Sequence, residues 1–185
     1  GRSNEGEPVI FSCAKFYGRK DIPLLIRAFD KVAGTSPGKL RIAGDGPDRD
    51  EVESAVARAD HRDRINLLGL LRPEEVREEM CKADVFALVG WAEPFGVVFL
   101  EAMACGLPVV LSEDAGIAEV LDDGATAVFS KPRDQVSVEK ALRPLLLDAE
   151  LRHRIGEAGR ALYLERFQWD SIIRQYQNIM TEGGE

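Results

Sequence analysis

At 185 residues, with 45% apolar and 30% charged content, the chain is long enough to bury one sizeable core and has the balance of a soluble globule. A net charge of −8 argues against the broad basic footprint of a nucleic-acid binder, and no apolar run approaches the roughly 18 residues a membrane helix needs. Without a charged-then-apolar leader, a cytoplasmic location is expected, with peripheral membrane contact left open. Cys13, Cys81 and Cys105 form no CxxC pair and sit in or beside apolar segments, the pattern of buried reduced thiols and not of a disulfide framework or a metal site.

Gly1 to Glu7 are small and polar, a linker or terminal edge. Pro8 to Ala14 is a short β-branched apolar run, the first strand, followed by the basic loop Lys15 to Asp21. Ile22 to Val32 has apolar residues at helical spacing, with Pro23 tolerated in the first turn. Lys39 to Ala43 reads as a strand ending in Gly44-Asp45-Gly46-Pro47, where the glycines suit either a ligand's close approach or a plain tight turn. A polar helix over Asp48 to Ala59, a strand over Arg64 to Leu68, Gly69-Leu70-Leu71, and a proline-started helix over Pro73 to Cys81 follow. After the strand Asp84 to Val89 come a loop, a helix, the strand Val109 to Leu111, a short helix near Glu119, and a last strand, Thr126 to Phe129. From Asp134 to Met180 the pattern is helical, with Asp148 and Gly159 as breaks. Strands alternating with helices six times predict a Rossmann-like parallel sheet with helices on both faces. Right-handed crossovers then gather the loops after Ala14, Ala43, Leu68, Val89 and Leu111 along one edge, where such sheets bind ligands.

The stretch Glu93-Pro94-Phe95-Gly96-Val97-Val98-Phe99-Leu100-Glu101 lies on that edge. Pro94 and Gly96 suit a helix's first turn, so the helix is expected to start near Phe95. Its free N–H groups and dipole favour an anion such as phosphate. Glu93, at the mouth, and Glu101, lower on the helix, would repel a phosphate; both suit neutral hydroxyls of a sugar or ribose instead. Lys15 and Lys20 share the edge and could neutralise a diphosphate as it leaves. His61 and His153, in polar surroundings away from it, read as surface residues.

Glu93 and Glu101, seven residues apart, together with Phe95-Gly96 and the run Glu101-Ala102-Met103-Ala104-Cys105-Gly106-Leu107-Pro108-Val109-Val110, resemble the E-x7-E segment of retaining glycosyltransferases of the GT-B architecture, the family-4-like group 1. The likeness covers about Pro8 to Met180 and implies the C-terminal, donor-binding half of a two-domain fold: a nucleotide-sugar domain over residues 8–180 without the N-terminal acceptor domain. It implies an enzyme that transfers a sugar from a nucleotide diphosphate sugar to an acceptor hydroxyl, inactive as an isolated half, with no metal or other cofactor. It assigns Glu93 to the sugar hydroxyls, Lys20 and Lys15 to the diphosphate as catalytic charges, and the amides of Phe95, Gly96 and Val97 to sugar and phosphate. Glu101 goes to the ribose, and Gly69, Leu70 and Leu71 to the base.

Departures from the family wording are visible. Lys15 stands for an Arg, Ala14 for a Gly and Asp21 for a second Gly, while Val89-Gly90-Trp91 stands where the family most often shows a Pro-Ser that would bring a hydroxyl. Glu119, after Ala115-Gly116, matches a family Glu and reads as a helix-start carboxylate. Phe167-Gln168-Trp169 with Tyr176 resembles the closing helix that crosses back to the partner domain. Two other classes stay open: half of a sugar-nucleotide epimerase, distinguished by inversion at a sugar carbon, and a non-catalytic nucleotide-binding module, distinguished by binding without turnover. A dehydrogenase is disfavoured because no GxGxxG follows the first strand.

Overall fold

The computed structural model describes residues 6–168. Six strands form one sheet: β1 (Val9–Cys13), β2 (Lys39–Ala43), β3 (Ile65–Gly69), β4 (Val85–Leu88), β5 (Val109–Ser112) and β6 (Val128–Ser130). Their order is β3-β2-β1-β4-β5-β6 and every pairing is parallel, so the direction of winding reverses between β1 and β4. The sheet expected from the alternating pattern is present. All residues of β4 and β5 are buried, as their apolar runs Val85 to Leu88 and Val109 to Leu111 require of inner strands covered on both faces.

Helices α1 (Ile22–Ala33), α2 (Arg49–Arg58) and α5 (Gln135–Leu147) pack on one face, and α3 (Pro73–Lys82), α4 (Val97–Ala104) and α6 (Ala149–Arg166) on the other. The apolar stripe of α1 buries Ile22, Leu24, Leu25, Ile26, Ala28, Phe29, Val32 and Ala33. Across the sheet the core continues through edge-on rings: Phe11 to Phe86 at 6.2 Å and Phe86 to Phe99 at 5.8 Å between centroids. This chain of rings joins both switch-point strands to α4, each contact worth about 0.5–1.5 kcal/mol beyond its buried area.

Three expectations need correction. Helix α4 begins at Val97 and not near Phe95, because Gly96 sits in the left-handed region at φ 80 and acts as the N-cap. The last strand starts at Val128: Thr126 belongs to a turn, where its hydroxyl accepts the Asp122 N–H at 2.8 Å. Gly159 does not break α6 but is buried inside it; a Cβ there would come within 3.0 Å of Thr126 O, so the glycine lets the helix approach the loop closely. Asp148 does separate α5 from α6 and caps the latter, accepting from Leu151 N at 2.9 Å. The closing-helix residues Trp169 and Tyr176 lie outside the described residues.

Candidate donor site at the strand-order reversal

Where the winding reverses, the loops after β1 and β4 leave the sheet in opposite directions and open a crevice at the carboxyl edge. The two loops nonetheless touch backbone to backbone. Trp91 N donates to Arg19 O at 2.8 Å, and a Cβ on Gly90 would lie 2.4 Å from that oxygen and 2.8 Å from Lys20 Cα. No serine could stand at Gly90 without moving the basic loop. The departure from Pro-Ser thus has a steric basis, which sequence reading had treated as a missing hydroxyl.

This packing brings Lys20 to Glu93. The Lys20 ammonium donates to Glu93 Oε2, and the two side chains are 15% and 14% exposed. Glu93 is held from behind as well: its carbonyl accepts from Gly116 N at 2.9 Å, and a Cβ on Gly116 would overlap Pro94 O at 1.9 Å. Gly116 therefore clamps the Glu93-Pro94 backbone. Glu119, in the 3-10 turn Gly116–Val120, is exposed and sits near its start, as the helix-start reading expected.

Beyond Glu93 the chain passes through Phe95 and Gly96 into α4. A Cβ on Gly96 would meet the Phe99 ring at 2.5 Å, so both its φ and its surroundings require glycine. Among the described residues no side chain caps α4, which leaves its first amides and the positive end of its dipole facing the crevice. Phe95 is exposed on one side and touches Phe167 edge-on at 6.4 Å, while Val97 is exposed.

Lys15 is placed differently. It is exposed, with its ammonium 5.1 Å from the centre of the Tyr17 ring, and the Tyr17 hydroxyl raises its pKa. The structure does not bring it into the Lys20–Glu93 pair. Asp21, where a glycine was expected, has φ 44 and ψ 43, a left-handed conformation that explains the family's glycine and that Asp tolerates. Its carboxylate caps α1 at Leu24 N, 3.3 Å away, and burial pushes its pKa upward against the lowering effect of that bond. Arg133, in the loop after β6, stacks its guanidinium 4.1 Å from the Trp91 ring centre. Sequence reading missed this contact, since the two residues share no motif.

Glu101 lines a cavity of about 640 Å³ together with Val98 of the first turn of α4, Cys13, Leu71, Val76, Arg77 and Tyr163 among others. It is exposed, whereas Glu93, before the helix, is largely covered in its pair with Lys20. The Cys13 thiol is pushed up to about 11, first by burial and then by the Glu101 carboxylate. Cys13 and Cys105 are half-buried and Cys81 is exposed, which corrects the expectation of three buried thiols; none forms a disulfide. Of the three residues expected at the base, Leu71 lines the cavity, Leu70 is 81% exposed, and Gly69 turns at φ 70 with its carbonyl accepting from Gly44 N. Gly44 and Gly46 serve packing: Cβ atoms there would strike Ala14 O at 1.9 Å and Phe16 O at 2.5 Å. His153 is exposed, but His61 is half-buried, with Nδ1 3.0 Å from Asp30 Oδ1. Among the described residues no His, Cys, Asp and Glu side chains converge as a metal-ligand set.

The family model for glycosyl transferases group 1 matches residues 1–162. The chain belongs to that family. Group 1 relatives include N-acetyl-alpha-D-glucosaminyl L-malate synthase of Bacillus anthracis, 32% identical over 95% of this chain and 46% of the relative. The phosphatidylinositol N-acetylglucosaminyltransferase gpi3 subunit of Schizosaccharomyces pombe is 33% identical over 90% of this chain and 36% of its own length. The chain thus spans about half or less of the curated relatives it matches. Among solved structures, sucrose-phosphate synthase from Thermosynechococcus elongatus aligns with a TM-score of 0.83 at 27% identity, over 95% of this chain and 45% of that one. Anabaena HepE in complex with UDP and glucose shares the fold at TM-score 0.81 and 22% identity, over 94% and 48%. The C-terminal domain of a group 1 glycosyl transferase from Francisella tularensis corresponds over 89% of this chain and 88% of that one, at TM-score 0.81 and 21% identity. In group 1 members this sheet is one of the domains of the GT-B architecture, and no helix among the described residues is long and apolar enough to cross a membrane.

Proposed function

We propose that this group 1 chain is the donor-binding half of a two-domain transferase that moves a sugar from a nucleotide diphosphate sugar to an acceptor hydroxyl, with retention of configuration. One observation carries the reading: at the strand-order reversal, Lys20, Glu93 and the uncapped start of α4 meet beside a cavity walled by Glu101. Each part suits one part of the donor. The amides of Val97 and its neighbours and the Lys20 ammonium suit the diphosphate, whose charge grows as the sugar departs. Glu93 suits sugar hydroxyls, and Glu101 suits the ribose, with Leu71 and the cavity around it for the base. The countercharge for the leaving group is then supplied by the protein, with no resident metal in the reading. Lys15, turned toward Tyr17, adds only a distant charge. Retention follows if the acceptor attacks from the face the diphosphate leaves, with no enzymic nucleophile. The acceptor is assigned to a second domain, so this half alone binds and does not transfer.

Calorimetric titration of the chain with UDP, ADP and GDP and their glucose conjugates tests the reading. UDP leads the panel because HepE, a structural neighbour, has been solved with UDP and with UDP-glucose. Binding of one nucleotide family without sugar release to water or to alcohols is the expected result. Absence of binding to all of them would overturn the reading, and transfer by this half alone would overturn the two-domain assignment.

A further inference from the structure

Two residues that the proposed function assigns to different parts of the donor are bonded to each other. The Lys20–Glu93 pair joins positions 73 apart in sequence, and little of either side chain reaches solvent. Both backbones are fixed independently of the pair, Lys20 by the Gly90 and Trp91 contacts and Glu93 by Gly116. Each charge therefore has the other as its resting partner.

A diphosphate at the start of α4 draws the Lys20 ammonium toward itself. Glu93 is then left as a poorly hydrated carboxylate next to an anion, an unfavourable state for a buried charge. A sugar on the diphosphate offers hydroxyl donors to that carboxylate; a bare nucleoside diphosphate offers none. We propose that exchange of partners in the Lys20–Glu93 pair makes Glu93 a specificity-determining residue that favours nucleotide sugar over nucleoside diphosphate. Re-forming the pair once the sugar has left then helps expel the spent nucleotide. This inference rests on the donor reading above and adds to it a selectivity between substrate and product.

The experiment is a double-mutant cycle on the full chain: wild type, Glu93→Gln, Lys20→Ala and the double variant, titrated with UDP, UDP-glucose and UDP-N-acetylglucosamine. ADP or GDP and their sugars replace these if wild type prefers another base. Glu93→Gln is expected to bind UDP about tenfold tighter while binding the sugar nucleotide no better. The ratio of the two affinities, which is independent of the folded fraction, then falls by about tenfold or more. In the Lys20→Ala background the gain on UDP shrinks to below about threefold, leaving only plain repulsion between carboxylate and diphosphate. Weaker UDP binding by Glu93→Gln would show that Glu93 holds Lys20 ready for phosphate, and would overturn the proposal. An equal gain with and without Lys20 would overturn it too, reducing the effect to charge repulsion. A wild type that binds none of the three diphosphates is a separate failure, one that removes the donor site and the selectivity with it.

Discussion

The two faces of the sheet are covered by helices of very different apolar content. On one, α1 alone buries eight residues, and Arg64 ties the turn beyond it with three bonds to the carbonyls of Ala33, Ser36 and Gly38 at 2.7–2.9 Å. On the other, α3 buries only Met80, α4 buries Phe99, Ala102 and Met103, and a cavity of about 640 Å³ remains between them. The strands are shared, so the difference comes from the helices. The apolar stripe of α1 lies on the sheet and leaves only a charged cleft of similar volume toward α2, between Arg27, Asp30, Glu51 and Arg58, whereas the acidic α3 gives the core only Met80 and the half-buried Val76.

That contrast is tested most strongly by removing one ring from each side. Phe29→Ala is expected to cost about 3–5 kcal/mol of stability, as large core truncations do, and to leave nucleotide affinity of the folded fraction unchanged. Phe99→Ala should cost a similar amount and also weaken nucleotide binding, because its ring packs against Gly96 and sets the start of α4. Chemical denaturation and calorimetry on both variants would show it. Equal loss of binding in the two would mean that the faces are not separable. Next in size, Glu101→Ala should weaken both UDP and UDP-glucose by about 1.5–3 kcal/mol with little change in melting temperature, since the carboxylate is exposed and supports no core contact. A large fall in melting temperature would place Glu101 in the scaffold instead.

How far the sequence revealed these differences depends on the range of the interaction. Lys39 to Ala43 and the proline-started α3 were legible because the alternation of Leu40 and Ile42 with Lys39 and Arg41, and proline, act locally. The expected start of α4 lies two residues early because Gly96 suits a helix's first turn by type, while its φ of 80 makes it the cap that precedes the helix. The Lys20–Glu93 pair and the Arg133–Trp91 stack are tertiary and leave no spacing to find. Tyr163 reaches the cavity from α6, a helix whose periodicity says nothing about which strand ends it covers. Gly44 and Gly46 had two open readings, and only the positions of Ala14 and Phe16 decided for packing.

Smaller effects sharpen the comparison at the point where the loops meet. Asp21→Ala should cost about 1 kcal/mol or somewhat more, from the lost cap on α1 and a non-glycine side chain in the left-handed region, whereas Asp21→Gly should cost only a few tenths. Equal costs in a melting series would show that the cap bond, and not the backbone conformation, dominates. The least effect is expected from Cys13. Its folded pKa of about 11 lies above the thiol's ordinary value of 9.0, so its contribution to stability is fully present below pH 9 and lost as pH rises toward 11. Stability measured across that window should fall less in Cys13→Ala than in wild type, and iodoacetamide should label exposed Cys81 well before Cys13. Parallel slopes in the two proteins would remove Cys13 from the account.

Gly90 and Gly116 carry the arrangement of Lys20 and Glu93 without offering any functional group to a ligand. For inheritance this means that the chemistry of the crevice is exposed to mutation at sites where no chemistry occurs. A selection that scores nucleotide-sugar binding across all single substitutions should find these two glycines as intolerant as the charged pair itself. The map of damage would outline the backbone clamps as sharply as the charges they hold in place.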